Sequence, residues 1–366
     1  MKKVLAIVLS LVMVFGVVAA CANDTPAPAP AAPAAEAPAA EAPAAEAPAP
    51  AAPAAGGPLV VGFSQIGSES DWRVGNTVSV SNAIEGAGWT LLFDDANQQQ
   101  ENQVAALRNF ITQGVDYIVF GPIVETGWDA VLQEVKDAGI PVVMIDRTID
   151  MPNQEDYYVS WITNNFEEEG VAAAEWLLAY LEHEGRMSED INIVELQGTV
   201  GSGPQIYRMQ GFHDTVGAYP NLTISQTETG NFETEEGKRV METFLTRAAA
   251  DGVPIDVVFA HNDGMALGAI SAIREAGLNP GEDIIIIGID AVKLAFEAII
   301  AGDMNATVEC SPLLGPLVVQ VIQTLEAGGT PDKVIINPRS TFDMSLYQVF
   351  PDRFTSAASE VDNRVY

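Results

Sequence analysis

The chain has 366 residues, with 50 Asp and Glu against 17 Lys and Arg, for a formal net charge of −33 at pH 7. So acidic a protein has no electrostatic route to phosphate backbones or anionic lipid head groups, which excludes nucleic-acid binding. The two cysteines, Cys21 and Cys310, make no disulfide framework, because Cys21 falls at a processing site. The fold must therefore stand on packing.

In chain order, Lys2-Lys3 is a short basic segment and Val4 to Val18 an apolar one, too short and wrongly flanked for a permanent membrane span. The run ends in Val18-Ala19-Ala20-Cys21, which resembles the lipobox of bacterial lipoproteins. That resemblance implies a signal peptide over 1–20, cleavage before Cys21 and a diacylglycerol on its thiol. The plainer alternative, a secreted protein with a stray cysteine, is disfavoured because the cysteine sits at the cleavage point. Residues 22–58 hold ten of the 22 prolines, and Glu36, Glu41 and Glu46 recur every five residues. This stretch lacks apolar bulk, so 21–58 reads as a lipidated cysteine and a semi-rigid tether reaching up to about 3 Å per residue.

The remaining 308 residues suit two domains of roughly 150 each. Apolar runs at 59–64, 90–93, 117–121, 141–145, 191–196, 256–260 and 284–289 are continuous rather than alternating, as in strands covered on both faces. Between them lie amphipathic segments, such as 99–113 with Val104, Leu107 and Ile111 on one helical face. Alternating β and α units predict an α/β fold of parallel sheets wound with helices. Residues 110–147 and 244–291 also echo each other: helix, Gly turn, Asp-led strand, loop, helix, and a strand ending in Ile-Asp. The echo predicts two similar lobes.

In open parallel sheets ligands bind beyond the carboxyl ends of the strands. Glu69, Trp72 and Arg73 follow the first predicted strand, and Asp146-Arg147 the fourth. In the second half come Arg208, then Asn262-Asp263, then Asp290. Carboxylates, guanidinium groups and amides thus gather at one edge of each lobe, and two such edges facing each other make a cleft. This inventory suits a sugar. Asp and Asn bridge adjacent hydroxyls, Arg donates through a planar fork, and an indole covers a C–H face. A hydrogen bond to a charged group contributes about 1.5–3 kcal/mol.

The segments VGFSQIGSESDWR, GPIVETGW, IPVVMIDR, VELQGTVGSGPQIYRMQGF and FAHNDGMALGAISAIREAGLNPGEDI resemble the type I sugar-binding proteins of bacterial ABC importers, the ribose and galactofuranose binders among them. The resemblance covers about 59–345. It implies two Rossmann-like, doubly wound lobes joined by a three-strand hinge, as in periplasmic binding proteins of type I. Their bounds would be 59–163 plus 311–340, and 164–310 plus 341–366, with hinges near Thr163-Asn164, Cys310-Ser311 and Ser340-Thr341. It also implies that Trp72, Arg73, Asp146 and Arg147 bind the sugar from the first lobe, and Arg208, Asn262 and Asp290 from the second. Phe232, in Gly-Asn-Phe, matches a site aromatic of the ribose binder. Asn164-Asn165 stands where Asp-Asn is more usual, and Cys310 where the ribose binder has Gln. Both departures bear on which sugar is bound.

Each residue also has a blander role. Asp146-Arg147 as a mere ion pair is disfavoured, since a carboxylate beside Arg at a buried strand end needs partners. Trp72 is placed in the site because its loop is polar. Asp290 follows the same strand-end logic, and Asn164 and Asp263 are counted with the ligand-binding set. Glu69 is a helix cap or a ligand contact, both readings standing. Trp128 begins a helix with Val131, Leu132 and Val135 and is assigned to packing. The loop Gly198 to Gly203 lacks the Lys-Ser/Thr of a phosphate loop and reads as a turn. His183, His213 and His261 lack metal-ligand spacing, no nucleophile elbow exists, and His261 reads as strand-end structure. Cys310 is expected as an unpaired, partly buried thiol.

The sequence therefore predicts an extracytoplasmic lipoprotein that captures a monosaccharide and delivers it to an ABC permease and its ATPase. It would act as a monomer, without metal or cofactor, and would make or break no bond. The alternatives are a sensor signalling to a membrane receptor and an enzyme on the same scaffold. A repressor is disfavoured, because a leader stands where a DNA-binding segment would.

Overall fold

The structure, a computed structural model, describes residues 57–366. The signal peptide, Cys21 and all but the last two residues of the tether lie outside the described residues. The chain first lays down β1 (Val60–Gln65), α1 (Asp71–Gly86), β2 (Thr90–Asp95), α2 (Gln100–Gln113), β3 (Tyr117–Phe120), α3 (Asp129–Asp137), β4 (Val142–Ile145) and β5 (Ser160–Thr163). It crosses over to build α4 (Phe166–His183), β6 (Ile191–Gln197), α5 (Gly203–Val216), β7 (Leu222–Thr229), α6 (Thr234–Asp251) and β8 (Val257–Ala260). α7 (Asp263–Glu275), β9 (Ile285–Asp290), α8 (Lys293–Ala301) and β10 (Ala306–Glu309) follow. A second crossing leads to α9 (Gly315–Glu326) and β11 (Val334–Ile336), and a third to β12 (Thr341–Asp343), β13 (Thr355–Ser356) and α10 (Ala357–Glu360).

The strands form two sheets, ordered β11-β5-β4-β3-β1-β2 and β13-β12-β10-β9-β8-β6-β7. Every pairing is parallel except β10 with β12. This is the two-lobed α/β fold expected from the alternating pattern. Continuous branched runs become fully buried strands where helices cover both faces: β3, β4, β8 and β9 have no exposed residue. The 90–93 run is the exception. β2 is an edge strand whose residues are exposed or half-buried, so its apolar run was not a sign of two-sided cover.

Buried apolar side chains fill the layers on both faces of each sheet. In the first lobe, Phe120 meets Trp128 edge-on at 4.8 Å, which confirms Trp128 as packing. In the second, Phe212 of α5 stacks on Phe259 of β8 at 4.0 Å. α4 and α5 touch backbone to backbone at Gly170, where a Cβ would lie 2.2 Å from the Arg208 carbonyl. That close approach sets Arg208 and the neighbouring Glu169 face to face.

The three crossings run side by side. Asn337 N donates to Thr163 O at 2.9 Å, and Glu309 N donates to Ser340 O at 2.8 Å. Asn164 Nδ2 reaches Ser311 O at 3.4 Å. The carboxyl ends of both sheets open toward the gap between the lobes.

Candidate functional site

Between the lobes lies a cleft of about 280 Å³, open solvent at its mouth included. Glu69, Ser70, Trp72, Arg73, Asp146 and Arg147 form the wall from the first lobe. Pro204, Arg208, Phe232, Asn262, Asp290 and Cys310 form it from the second.

The first wall grows from the start of α1. Ser70 is the N-cap, its hydroxyl accepting from Arg73 N at 3.2 Å. Glu69 is therefore no cap. Its Oε1 accepts from Arg73 Nε at 3.0 Å, and its buried Oε2 has no protein partner. Arg73 spends its remaining fork on Asp146 Oδ2 at 2.9 Å and Gln65 Oε1 at 3.3 Å. Burial works to lower the Arg73 pKa, but Glu69 and Asp146 outweigh it and the guanidinium is held above its ordinary value.

Asp146 is not glycine, yet its φ is 60°. The conformation is fixed by its own backbone, since Asp146 N donates to Ile162 O at 2.8 Å. Its carbonyl accepts from Thr163 Oγ1 at 2.7 Å and Trp161 Nε1 at 3.1 Å. Strain held in place this way collects at ligand clamps. Arg147 donates through Nη1 to Ile123 O at 2.7 Å, while its buried Nε has no partner. Burial first and Arg73 second push it down to about 10, so it stays charged at neutral pH. Its guanidinium faces the Phe232 ring across the cleft at 5.2 Å. Trp72 is anchored by its indole N–H, which donates to Cys310 O at 2.5 Å, and its ring still lines the space.

The second wall centres on Arg208. Its Nε donates to Glu169 Oε2 at 2.8 Å and its Nη1 to His261 O at 2.5 Å. Nη2 lies 3.7 Å from Asp290 Oδ1. Burial would lower this guanidinium, yet Glu169, Cys310 and Asp290 raise it. Burial drives Asp290 well above the ordinary carboxylate range, with Arg208 opposing and Asp263 adding to the rise. Asp290 and Ala291 have φ of 125° and 60°, so both Ile-Asp strand ends of the internal echo turn through strained backbone at the cavity. Phe232, at φ 67°, packs its ring where a Gly198 side chain would be: a Cβ there would lie 1.9 Å from Phe232 Cζ. Asn262 caps α7, its Oδ1 accepting from Met265 N at 3.0 Å, and its Nδ2 donates to Phe232 O at 3.0 Å. It lines the space and also steers Phe232.

Of the residues expected in the site, the structure brings Glu69, Trp72, Arg73, Asp146, Arg147, Arg208, Phe232, Asn262 and Asp290 to the cavity. It does not bring Asp263 or Asn164. Asp263 begins α7 facing the other way, accepting from Thr307 Oγ1 at 2.8 Å and Val292 N at 3.0 Å. Burial pushes its carboxyl up to about 7 against those hydrogen bonds. It supports the loop that carries Asp290. Asn164 bridges two crossings and acts at the hinge. Cys310 is more enclosed than expected: it is fully buried and forms part of the wall. Ser70, Pro204 and Glu169 were not singled out. Glu169 had no signal, being one of three consecutive Glu in the first turn of α4. His261 is strand-end structure, its Nε2 on Glu195 Oε1 at 3.0 Å.

Three guanidinium groups face three carboxyl groups in the lining, a one-to-one match by number, with burial favouring the neutral form of the Asp290 carboxyl. The cavity offers unpartnered polar atoms at Glu69 and Arg147, and apolar faces at Trp72 and Phe232. Such a wall binds a small, neutral, hydroxyl-rich ring and holds no nucleophile and base aligned for chemistry. Among the described residues, no group of three His, Cys, Asp or Glu is placed to hold a metal ion. No described helix is long and apolar enough to cross a membrane.

Comparison with known proteins gives the same direction. The galactofuranose-binding protein YtfQ of Escherichia coli is 40% identical over 285 residues, covering 78% of this chain and 87% of that protein. A solved structure from Mycobacterium smegmatis in complex with β-D-fucofuranose is 42% identical, with a TM-score of 0.75 over 83% of this chain and 97% of that one. The binding protein of the arabinose ABC transporter from Shewanella sp. ANA-3, bound to α- and β-L-arabinofuranose, is also 42% identical. Its TM-score is 0.76 over 84% of this chain and 96% of that one. Residues 61–334 match the periplasmic binding protein domain, and the chain belongs to that family.

Proposed function

We propose that the protein is the sugar-binding component of a bacterial ABC importer, and that its lobes close on one neutral monosaccharide in the furanose form. The observation that carries this is the cavity lined by matched carboxyl and guanidinium groups, whose buried Glu69 Oε2 and Arg147 Nε lack hydrogen-bond partners. Furanose ligands in two relatives, each 42% identical, support the ring form. Bidentate carboxylates and guanidinium forks are strong partners for vicinal hydroxyls, and a site built of them rejects analogues that leave a buried group unpaired. Binding residues are Glu69, Trp72, Arg73, Asp146 and Arg147 from one lobe, and Arg208, Phe232, Asn262 and Asp290 from the other. Asn164 serves the hinge and Asp263 the loop behind Asp290. The lobes comprise 59–163 plus 311–340, and 164–310 plus 341–366. The ligand leaves unchanged, so the partner is a permease with its ATPase.

Calorimetric titration with D-galactose, D-fucose and L-arabinose, each equilibrated with its furanose forms, is expected to give one-to-one binding. No heat and no thermal shift with any aldopentose or aldohexose would overturn the sugar reading. We further propose that the mature chain begins at a lipidated Cys21 and works as a monomer on the outer face of the cell membrane. The mass of the protein purified from bacterial membranes decides it: an unmodified chain recovered from the medium sinks the anchor.

A further inference from the structure

The cavity does not account for every contact between the lobes. On one side of the cleft Gln98 Nε2 donates to Glu233 Oε1 at 2.7 Å, joining the turn after β2 to the residue before α6. The turn is strained: Asn97 and Gln98 hold φ of 49° and 58°, and neither is glycine. It is pinned by Gln98 N donating to Ile66 O at 2.7 Å and Asn102 Nδ2 to Ala96 O at 3.0 Å. Two consecutive strained residues held so firmly mark a side chain that must point one way. Beside it, Glu125 N donates to Gly201 O at 3.1 Å, again lobe to lobe, from a loop that packs on the same turn through Ile66, Ala96 and Ile123. The Glu125 carboxyl is buried there, its Oε1 without a partner. Gln98, Glu233, Glu125 and Gly201 all lie outside the cavity wall.

We infer that Gln98 and Glu233 form a latch, with the Glu125–Gly201 contact beside it, that sets how long the closed form lasts without touching the ligand. The inference rests on the reading that the lobes close on a sugar. A hydrogen bond made only in the closed form multiplies the ratio of closed to open protein. Apparent affinity and the rate of ligand release follow that ratio, while capture by the open form does not.

The test uses Gln98→Leu, Glu233→Ala, their combination, and Glu233→Gln, which keeps an acceptor for Gln98. Stopped-flow release of L-arabinose or D-galactose is expected to be about tenfold faster in each deletion and about tenfold, not a hundredfold, in the double variant, because either change removes the same bond. Association should stay within about twofold, and Glu233→Gln should restore most of the slow release. Parent-like release in Gln98→Leu and Glu233→Ala overturns the latch. So does a change confined to association. Small-angle scattering of the ligand-free proteins gives a second reading: the parent should be more compact than the deletions, and equal radii overturn the inference. If the parent binds none of the sugars, the functional reading fails and the scattering alone decides the latch.

Discussion

Asp146 is where strain, charge and ligand converge. Its left-handed backbone aims the carboxylate at Arg73, and Arg147 stands 3.9 Å away. Asp146→Asn keeps the shape, and Asn tolerates positive φ, but it removes the charge between two buried guanidinium groups. Affinity should fall by about 1.5–3 kcal/mol, tenfold to a hundredfold, in calorimetric titration. An unchanged dissociation constant would remove Asp146 from the ligand shell. Gly198→Ala tests the other wall. Its Cβ would overlap the Phe232 ring, so the ring must swing into the cavity, and binding should weaken at least about tenfold while the fold survives. Full binding would mean that Phe232 has room to yield. At this scale the sequence was informative but not discriminating. Asp263 and Asp290 both follow a strand of the same lobe, and only the turn through φ 125° tells which one faces the cleft. Glu169 gave no sign of its place, because that comes from the contact of α4 with α5, and Cys310 was placed at a hinge only by the family resemblance.

Elements transmit that placement. The approach of α4 to α5 at Gly170 fixes the Arg208 carbonyl, so Gly170→Ala must push the helices apart. A loss of about 1–3 kcal/mol in denaturant unfolding is expected, with weaker sugar binding because Arg208 moves; an unchanged midpoint would refute the close contact. Behind the site, β6 offers Glu195 to two imidazoles. Glu195 is buried, which would raise it, yet His213 and His261 hold it well below the usual carboxylate range. His213 is raised by its 3.1 Å hydrogen bond to Glu195, with burial opposing. A base raised on folding adds stability that is complete below its unfolded value near 6.5 and fades as pH climbs through the folded one. The melting temperature of His213→Gln should therefore lie further below the parent at pH 6 than at pH 9. The difference is modest, since the ring is about one-third exposed. Equal gaps at both pH values would show that the imidazole acts by packing. The same elements mark what a sequence reveals. Runs such as Ile285–Asp290 announce themselves because both faces are covered. β7 alternates on an edge, and β5, β11 and β12 are three or four residues long, too short to carry a pattern, with β11 placed only by β5 far back in the chain.

The whole molecule divides its charge unevenly. Four acidic residues belong to the tether, and the cavity lining matches carboxyl to guanidinium groups by number, so most of the −33 must sit on the outer surface of the lobes. Surface self-repulsion is screened by salt, and the screening length falls from about 30 Å at 0.01 M to about 3 Å at 1 M. The melting temperature should therefore rise as sodium chloride is added across that range. The ligand should behave in the opposite manner. Its partners are buried ions already paired with one another, and a neutral sugar releases no counter-ion, so affinity should change by less than about twofold over the same range. A sugar acid or sugar phosphate would be attracted or repelled by the surface field, and its affinity would move steeply with salt. Stability that depends on salt together with affinity that does not is thus the joint signature of an acidic shell around a neutral site. Affinity that moves severalfold with salt would mean that the ligand is ionic and that the balance among Arg73, Arg147, Arg208 and their carboxylates has been misread.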